Sequence, residues 1–177
     1  MKKLLGFSIF LVFVLIASLT AEAKVTLPAI FSDNMVLQQN TQVNVWGKAA
    51  PGEKVTVKAS WLDKAVTAKA AANGKWTVKL KTPKATTNQS VTVSGENEIT
   101  INNVLIGEVW LCTGQSNMEF PVSRHPDVKW NTGMLNEAEE LKDADYPEIR
   151  LFHVKHQLAH EGELDDCEGE WLVCNPK

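Results

Sequence analysis
From Val25 to Ile106 the chain alternates apolar and polar residues with a period of two, and it is rich in Val and Thr. No other feature constrains the fold as tightly, because only a strand places residues i and i+2 on one face. Gln42 to Trp46 reads QVNVW, and Glu53 to Ser60 reads EKVTVKAS, with Val55 and Val57 on one face and Thr56 and Lys58 on the other. Ala65 to Ala71 and Trp76 to Leu80 flank Asn73-Gly74, a pair that predicts a hairpin whose two turn residues take positive φ. Gln89 to Ser94 and Glu98 to Asn102 flank Gly95-Glu96-Asn97, a second expected hairpin. Pro51-Gly52 and Pro83 punctuate the runs. Six or more short strands in about 80 residues, with no helical period, predict an antiparallel β-sandwich.

Three tryptophans fall in this region. Trp46 and Trp76 lie in alternating strands and are expected in the core, where aromatic rings contribute large buried area. Trp61 ends its strand and is the better candidate for stacking on a sugar ring. The lysines read as a solvated strand face.

The pattern then changes. Val104 to Cys112, VLIGEVWLC, is nearly all apolar, as suits a strand buried on both faces of a parallel sheet. Residues 133–143, GMLNEAEELKD, have Leu135, Ala138 and Leu141 roughly on one helical stripe. Glu148 to Val154, EIRLFHV, reads as a strand. Strand, helix, strand marks the start of an α/β unit near 107. Charge changes at the same place. Residues 24–106 carry 10 Lys and 5 acids, whereas 107–177 carry 6 basic and 15 acidic residues. The whole chain, at −3, is a poor match for nucleic-acid phosphates.

The first 23 residues read as an address. Lys2 and Lys3 precede an apolar run from Leu4 to Leu19, and Ala21-Glu22-Ala23 fits the small-x-small cleavage rule. The run is short for a membrane span and is interrupted by Gly6 and Ser8. A cleaved signal peptide is expected, and with it a secreted or periplasmic product with no stable span. Export permits disulfides. Of Cys112, Cys167 and Cys174, the last two could close a short loop or stay as thiols. Neither a Cys-x-x-Cys pair nor a zinc spacing is present, so no metal and no cofactor is expected.

Ser116 follows Gly114 just beyond the apolar run. Open α/β sheets place ligands at the C-terminal ends of their strands. Glycine permits a sharp turn there, and a helix beginning after the serine would offer free N–H groups to an oxyanion. Such a serine can be a nucleophile if a base reaches it. The plainer reading is a serine that caps the helix. Gly-x-Ser-x-Gly is not met, because Met118 occupies the second glycine position, and this disfavours an ordinary α/β-hydrolase.

The block Gly107 to Glu119, GEVWLCTGQSNME, resembles the nucleophile block of the sialate O-acetylesterase family, within the wider SGNH/GDSL-type hydrolases. Leu27 to Gln38, LPAIFSDNMVLQ, is similar to that family's N-terminal segment. Ser94 to Ile99, SGENEI, and Pro147 to Phe152, PEIRLF, are similar to further family segments. The resemblance implies a secreted serine esterase acting on O-acetylated sialic acid or another acetylated glycan. It implies Ser116 as nucleophile, with its backbone N–H as one oxyanion donor and with Gly114, Gln115 and Asn117 shaping the turn. It also implies an Asp-x-His block, which the family carries near the C-terminal end of a much longer chain. No Asp-x-His occurs in these residues.

The chain is therefore expected to be an N-terminal fragment, inactive alone: signal peptide 1–23, β-sandwich 24–106, and the incomplete start of an SGNH-type α/β hydrolase domain 107–177. Two alternatives stand beside this. One is a secreted carbohydrate-binding module without turnover. The other is a deacetylase of acetylated xylan. Local histidines offer little to the site. His125 could approach Ser116, His153 sits in an apparent strand, and His156 and His160 would share a face only on a helix. The acidic stretch from Glu161 to Glu170 lacks the spacing of a calcium loop and is expected to be solvated.

Overall fold
A computed structural model describes residues 24–124, 133–160 and 162–176, the Glu119 side chain excepted. Two sheets enclose the core. The larger has the order β1-β7-β6-β3-β4 and the smaller pairs β2 with β5. Their strands are β1 Val36–Gln38, β2 Gln42–Lys48, β3 Lys54–Ala59, β4 Val66–Lys69, β5 Lys75–Lys81, β6 Thr86–Ser94 and β7 Glu98–Gly107. The alternation does what period two requires. Val45 on β2, Val55 and Val57 on β3, Trp76, Val78 and Leu80 on β5, and Val91 and Val93 on β6 all point into one cluster. Each fully buried Val or Leu contributes about 1.5–3 kcal/mol relative to exposure.

The six expected strands are present, with their pairing altered in two places. β4 pairs with β3, and β5 pairs with β2, so Asn73-Gly74 links the two sheets and closes no hairpin between β4 and β5. Gly74 alone has positive φ (76°), and its N–H donates to Ala71 at 2.9 Å. A tight turn thus forms, but the ladder does not continue past it, because β5 finds a longer partner in β2. The second hairpin forms as expected: Ser94 faces Glu98, and Gly95 N–H donates to Asn97 C=O at 2.8 Å. The other departure is β1, which runs parallel to β7.

Side-chain amides and a carboxylate tie the N-terminal segment to β7 and to the turn before it. Asp33 accepts the N–H of Asn102 at 2.7 Å, and Asn103, at φ 52°, donates its amide to Asn34 at 2.7 Å. The β6–β7 register shifts there, and after the irregularity Val104, Leu105 and Ile106 are all buried. Asn97 accepts Val25 N–H at 2.7 Å and returns a bond to Val25 C=O at 3.2 Å.

Beyond Gly107 the picture differs from the expected α/β unit. β7 ends at Gly107, and the apolar run leaves the sheet: Trp110 is 83% and Leu111 92% exposed. A strand buried on both faces needs flanking strands and covering helices, and among the described residues none stands beside 108–115. The expected helix is α1, Glu137–Asp143, and it buries no residue. The expected strand is β8, Tyr146–Val154, which pairs antiparallel with β9, Gly169–Cys174. No parallel pairing involves these elements, so among the described residues they do not assemble an SGNH-type sheet.

The β8–β9 ribbon is fastened to the sandwich instead. Trp171 Nε1 donates to Ile30 C=O at 2.8 Å, and Asp166 accepts Ala29 N–H at 3.1 Å. Asp165 pairs with Lys75 at 2.7 Å and Lys48 at 3.2 Å. Two acids of the stretch expected to be solvated thus hold specific partners: lysines of β2 and β5 face Asp165, and the backbone N–H of Ala29 meets Asp166.

Candidate active site
Ser116 opens a single 3-10 turn, Ser116–Glu119, that follows the irregular segment 108–115. The turn closes when Met118 N–H donates to Gln115 C=O at 2.9 Å. Gly114 lies close against it: a Cβ there would stand 3.0 Å from Met118 Cγ, so a side chain would ask the exposed Met118 side chain to shift by a few tenths of an ångström. The position that caps the turn is Gln115, and its side chain makes no capping bond. Ser116 is not the cap either. Its side chain is exposed and makes no hydrogen bond among the described residues. The capping reading therefore fails on geometry, and the hydroxyl is uncommitted. Gly114, Gln115, Ser116 and Asn117 form one contiguous exposed surface.

The exit of the strand that leads to this turn is gripped tightly. Glu108 receives the side-chain amides of Gln38, which ends β1, at 3.0 Å and of Gln39, just after it, at 2.7 Å. Gln38 Oε1 accepts Val109 N–H at 2.8 Å, and Gln39 N–H donates to Gly107 C=O at 2.8 Å. The Gln38 bond, then the Gln39 bond, holds the Glu108 carboxyl below its ordinary value, against a small opposing effect of burial. Sequence reasoning passed over Gln39 and Glu108. Two adjacent glutamines at the end of one strand and an acid just after another were the available signal.

No base reaches Ser116 among the described residues. His153 sits exposed on β8 opposite Glu170. His156 and His160 lie in an irregular segment, so no helical face joins them. His125 lies outside the described residues. No group of three or more His, Cys, Asp or Glu among the described residues is arranged to hold a metal. Cys112, Cys167 and Cys174 are all free thiols. No helix among the described residues is long and apolar enough to cross a membrane, and residues 1–23 lie outside them.

The tryptophans divide differently from expectation. Trp76 is buried. Trp61 packs partly against the core and donates its indole N–H to Lys81 C=O at 2.9 Å. Trp46, expected inside, is 40% exposed. Its neighbours Val45 and Gly47 take the inward positions on β2, which leaves Trp46 on the outer face beside Thr77.

No family model matches the chain. It is similar to sialate O-acetylesterase of Mus musculus, with 31% identity over 150 residues, covering 78% of this chain and 26% of the relative. The Homo sapiens sialate O-acetylesterase is 29% identical over 146 residues, covering 76% and 26%. Among solved structures, a carbohydrate acetylesterase from Xanthomonas citri superposes with a TM-score of 0.75 at 30% identity, covering 86% of this chain and 33% of that one. The chain thus spans about a quarter of the length of the curated relatives it matches. Fold and relatives together define the class as that of the carbohydrate esterases. Within that class, the chain belongs to the sialate O-acetylesterase family.

Proposed function
We propose that this chain forms part of a secreted or periplasmic serine esterase that removes O-acetyl groups from sialic acid or a related acetylated sugar, with Ser116 as the nucleophile. The observation that carries the reading is the uncommitted, exposed Ser116 hydroxyl at the head of its 3-10 turn. In this reading Ser116 Oγ attacks the acetyl carbonyl while a histidine, oriented by an aspartate, takes the hydroxyl proton. The Ser116 N–H donates to the oxyanion. The sugar hydroxyl leaves with that proton, and water then releases acetate from the acyl-serine. An unassisted serine is a weak nucleophile, so the residues described here need a base from polypeptide outside them. That polypeptide would also complete an SGNH-type sheet beside 108–115.

The test is active-site labelling of the product isolated from its source, with a fluorophosphonate probe. Labelling at Ser116, lost in Ser116→Ala together with acetate release from O-acetylated sialic acid, is the expected result. Undiminished labelling of Ser116→Ala would sink the assignment. Because the Xanthomonas citri neighbour is a carbohydrate acetylesterase, acetylated xylan belongs in the same assay. Faster release from xylan would move the substrate to plant polysaccharide and leave Ser116 in place.

A further inference from the structure
Trp46 stands at the meeting of two adjoining grooves, of about 350 and 360 Å³, between the outer face of β2–β5 and residues 154–157 and 164–167. Volumes of this order hold small ligands. The floor follows from strand register: Trp46 faces Thr77, and Lys48 faces Lys75. The opposite wall contains Asp165 and Asp166, which line both grooves. That wall is fixed by the Asp165 pairs to Lys48 and Lys75 and by the Asp166 bond to Ala29. The indole is fixed as well. Phe31, 7% exposed, meets it edge-to-face, with ring centroids 4.6 Å apart and planes at 81°.

A braced, half-exposed indole has lost little freedom still to be lost on binding. Its π-face favours the C–H face of a pyranose, which is apolar with a slight positive charge. The hydroxyls around such a ring need donors and acceptors at its rim. Lys48, Lys75, Thr77 and Asp165 supply them on one side of Trp46, and Lys155 and Gln157 on the other. Lys48 and Lys75 pair with Asp165, but each of these side chains stays more than half exposed, so each keeps hydrogen-bonding capacity that a sugar hydroxyl can use and a purely apolar ligand cannot. The mixed lining thus selects a saccharide over a lipid or a hydrophobic peptide.

We infer that this cleft is a glycan-binding site on the sandwich, separate from the Ser116 turn, in which one sugar ring stacks on Trp46 and the chain continues into both grooves. The ligand class rests on the acetylated-glycan reading above; the site itself does not depend on Ser116. It would hold a glycan chain while its acetyl groups are presented elsewhere.

The experiment uses the chain from residue 24 onward carrying Ser116→Ala, so that turnover cannot contribute. Sialyl-lactose and acetylated xylo-oligosaccharide are titrated while the Trp46 indole N–H resonance is followed by NMR. Saturable shifts at Trp46 at millimolar sugar are expected. Trp46→Ala should weaken binding by about tenfold or more, while Trp46→Tyr, which keeps a stacking face, should stay within about threefold of the parent. Because Trp46 lies outside the core, unchanged thermal melting would show that Trp46→Ala still folds. No shift with either sugar, or binding unaffected by Trp46→Ala, overturns the site. So does self-association that Trp46→Ala abolishes, since the occupant would then be a second copy. Fluorophosphonate labelling of Ser116 reports on the esterase reading alone, so the two can fail independently.

Discussion

Glu108 shows how much one side chain can organise here. Its carboxylate is solvent-exposed, yet its two oxygens accept the amides of Gln38 and Gln39, and its neighbour Val109 is tied to Gln38 as well. These bonds favour the ionised form, which is why the folded value lies below the ordinary one of 4.5. A group with a depressed folded value stabilises the fold above its unfolded pKa, and loses that contribution as pH falls through the folded value. The loss therefore begins near pH 4.5 and continues below it. Asp165, lowered by its hydrogen bonds to Lys75 and Lys48 and by their charge, adds a loss that begins further down, near pH 3.8. Urea midpoints measured from pH 6 down to pH 3 should fall less steeply in Glu108→Gln than in the parent. A parallel slope would mean that the glutamine clamp gives no preference for the carboxylate. The clamp was not legible in the sequence, because Gln38 and Glu108 come together only through the parallel β1–β7 pairing. Ser116 stands out in the sequence as a nucleophile candidate because its neighbours form a motif along the chain. The base that its proposed role requires does not, since no short-range signal in these residues supplies one.

At the scale of elements, alternation revealed strands far better than partners. Every run with period two became a strand, because burial on one face requires it. Asn73-Gly74 marked a turn correctly and a hairpin wrongly, since a turn dipeptide fixes local φ and leaves open which sheet the next strand joins. The run Val104 to Cys112 misled for another reason. Its first part really is buried in β7, and hydropathy cannot locate the residue at which a strand loses its neighbours. The β8–β9 ribbon has little burial to support it, with Leu151 59% exposed and Ile149 52% exposed. Two strands alone are marginal in water, so its attachments to the sandwich decide its lifetime. Trp171→Phe keeps a ring to pack while removing the bond to Ile30 C=O. A lost hydrogen bond costs about 1 kcal/mol. Amide exchange in β9 should therefore quicken by about fivefold, while β2 and β5 keep their parent rates. Equal acceleration in all three strands would show that ribbon and sandwich open as one unit.

Over the whole molecule, apolar surface is divided unequally. The sandwich hides its Val, Ile and Leu residues in one cluster, whereas 108–122 presents Trp110, Leu111, Met118 and Phe120 outward. Apolar groups exposed together drive association, and monomeric proteins rarely leave a large patch of them open. The same residues contribute nothing to the sandwich core, so stability and solubility are separable in this chain. Replacing Trp110 and Leu111 by serine removes two of the most exposed apolar side chains without touching a buried contact. Sedimentation should show the chain from residue 24 onward associating as its concentration rises, and Trp110→Ser/Leu111→Ser remaining monomeric over the same range. The thermal midpoint of the sandwich should stay unchanged, since exposed substitutions usually alter stability by less than about 0.5 kcal/mol. A clear drop in that midpoint would mean that the segment after Gly107 packs against the sandwich in solution. Association that persists in the double variant would shift attention to the open edges of β8 and β9, which offer unpaired backbone groups to a second chain.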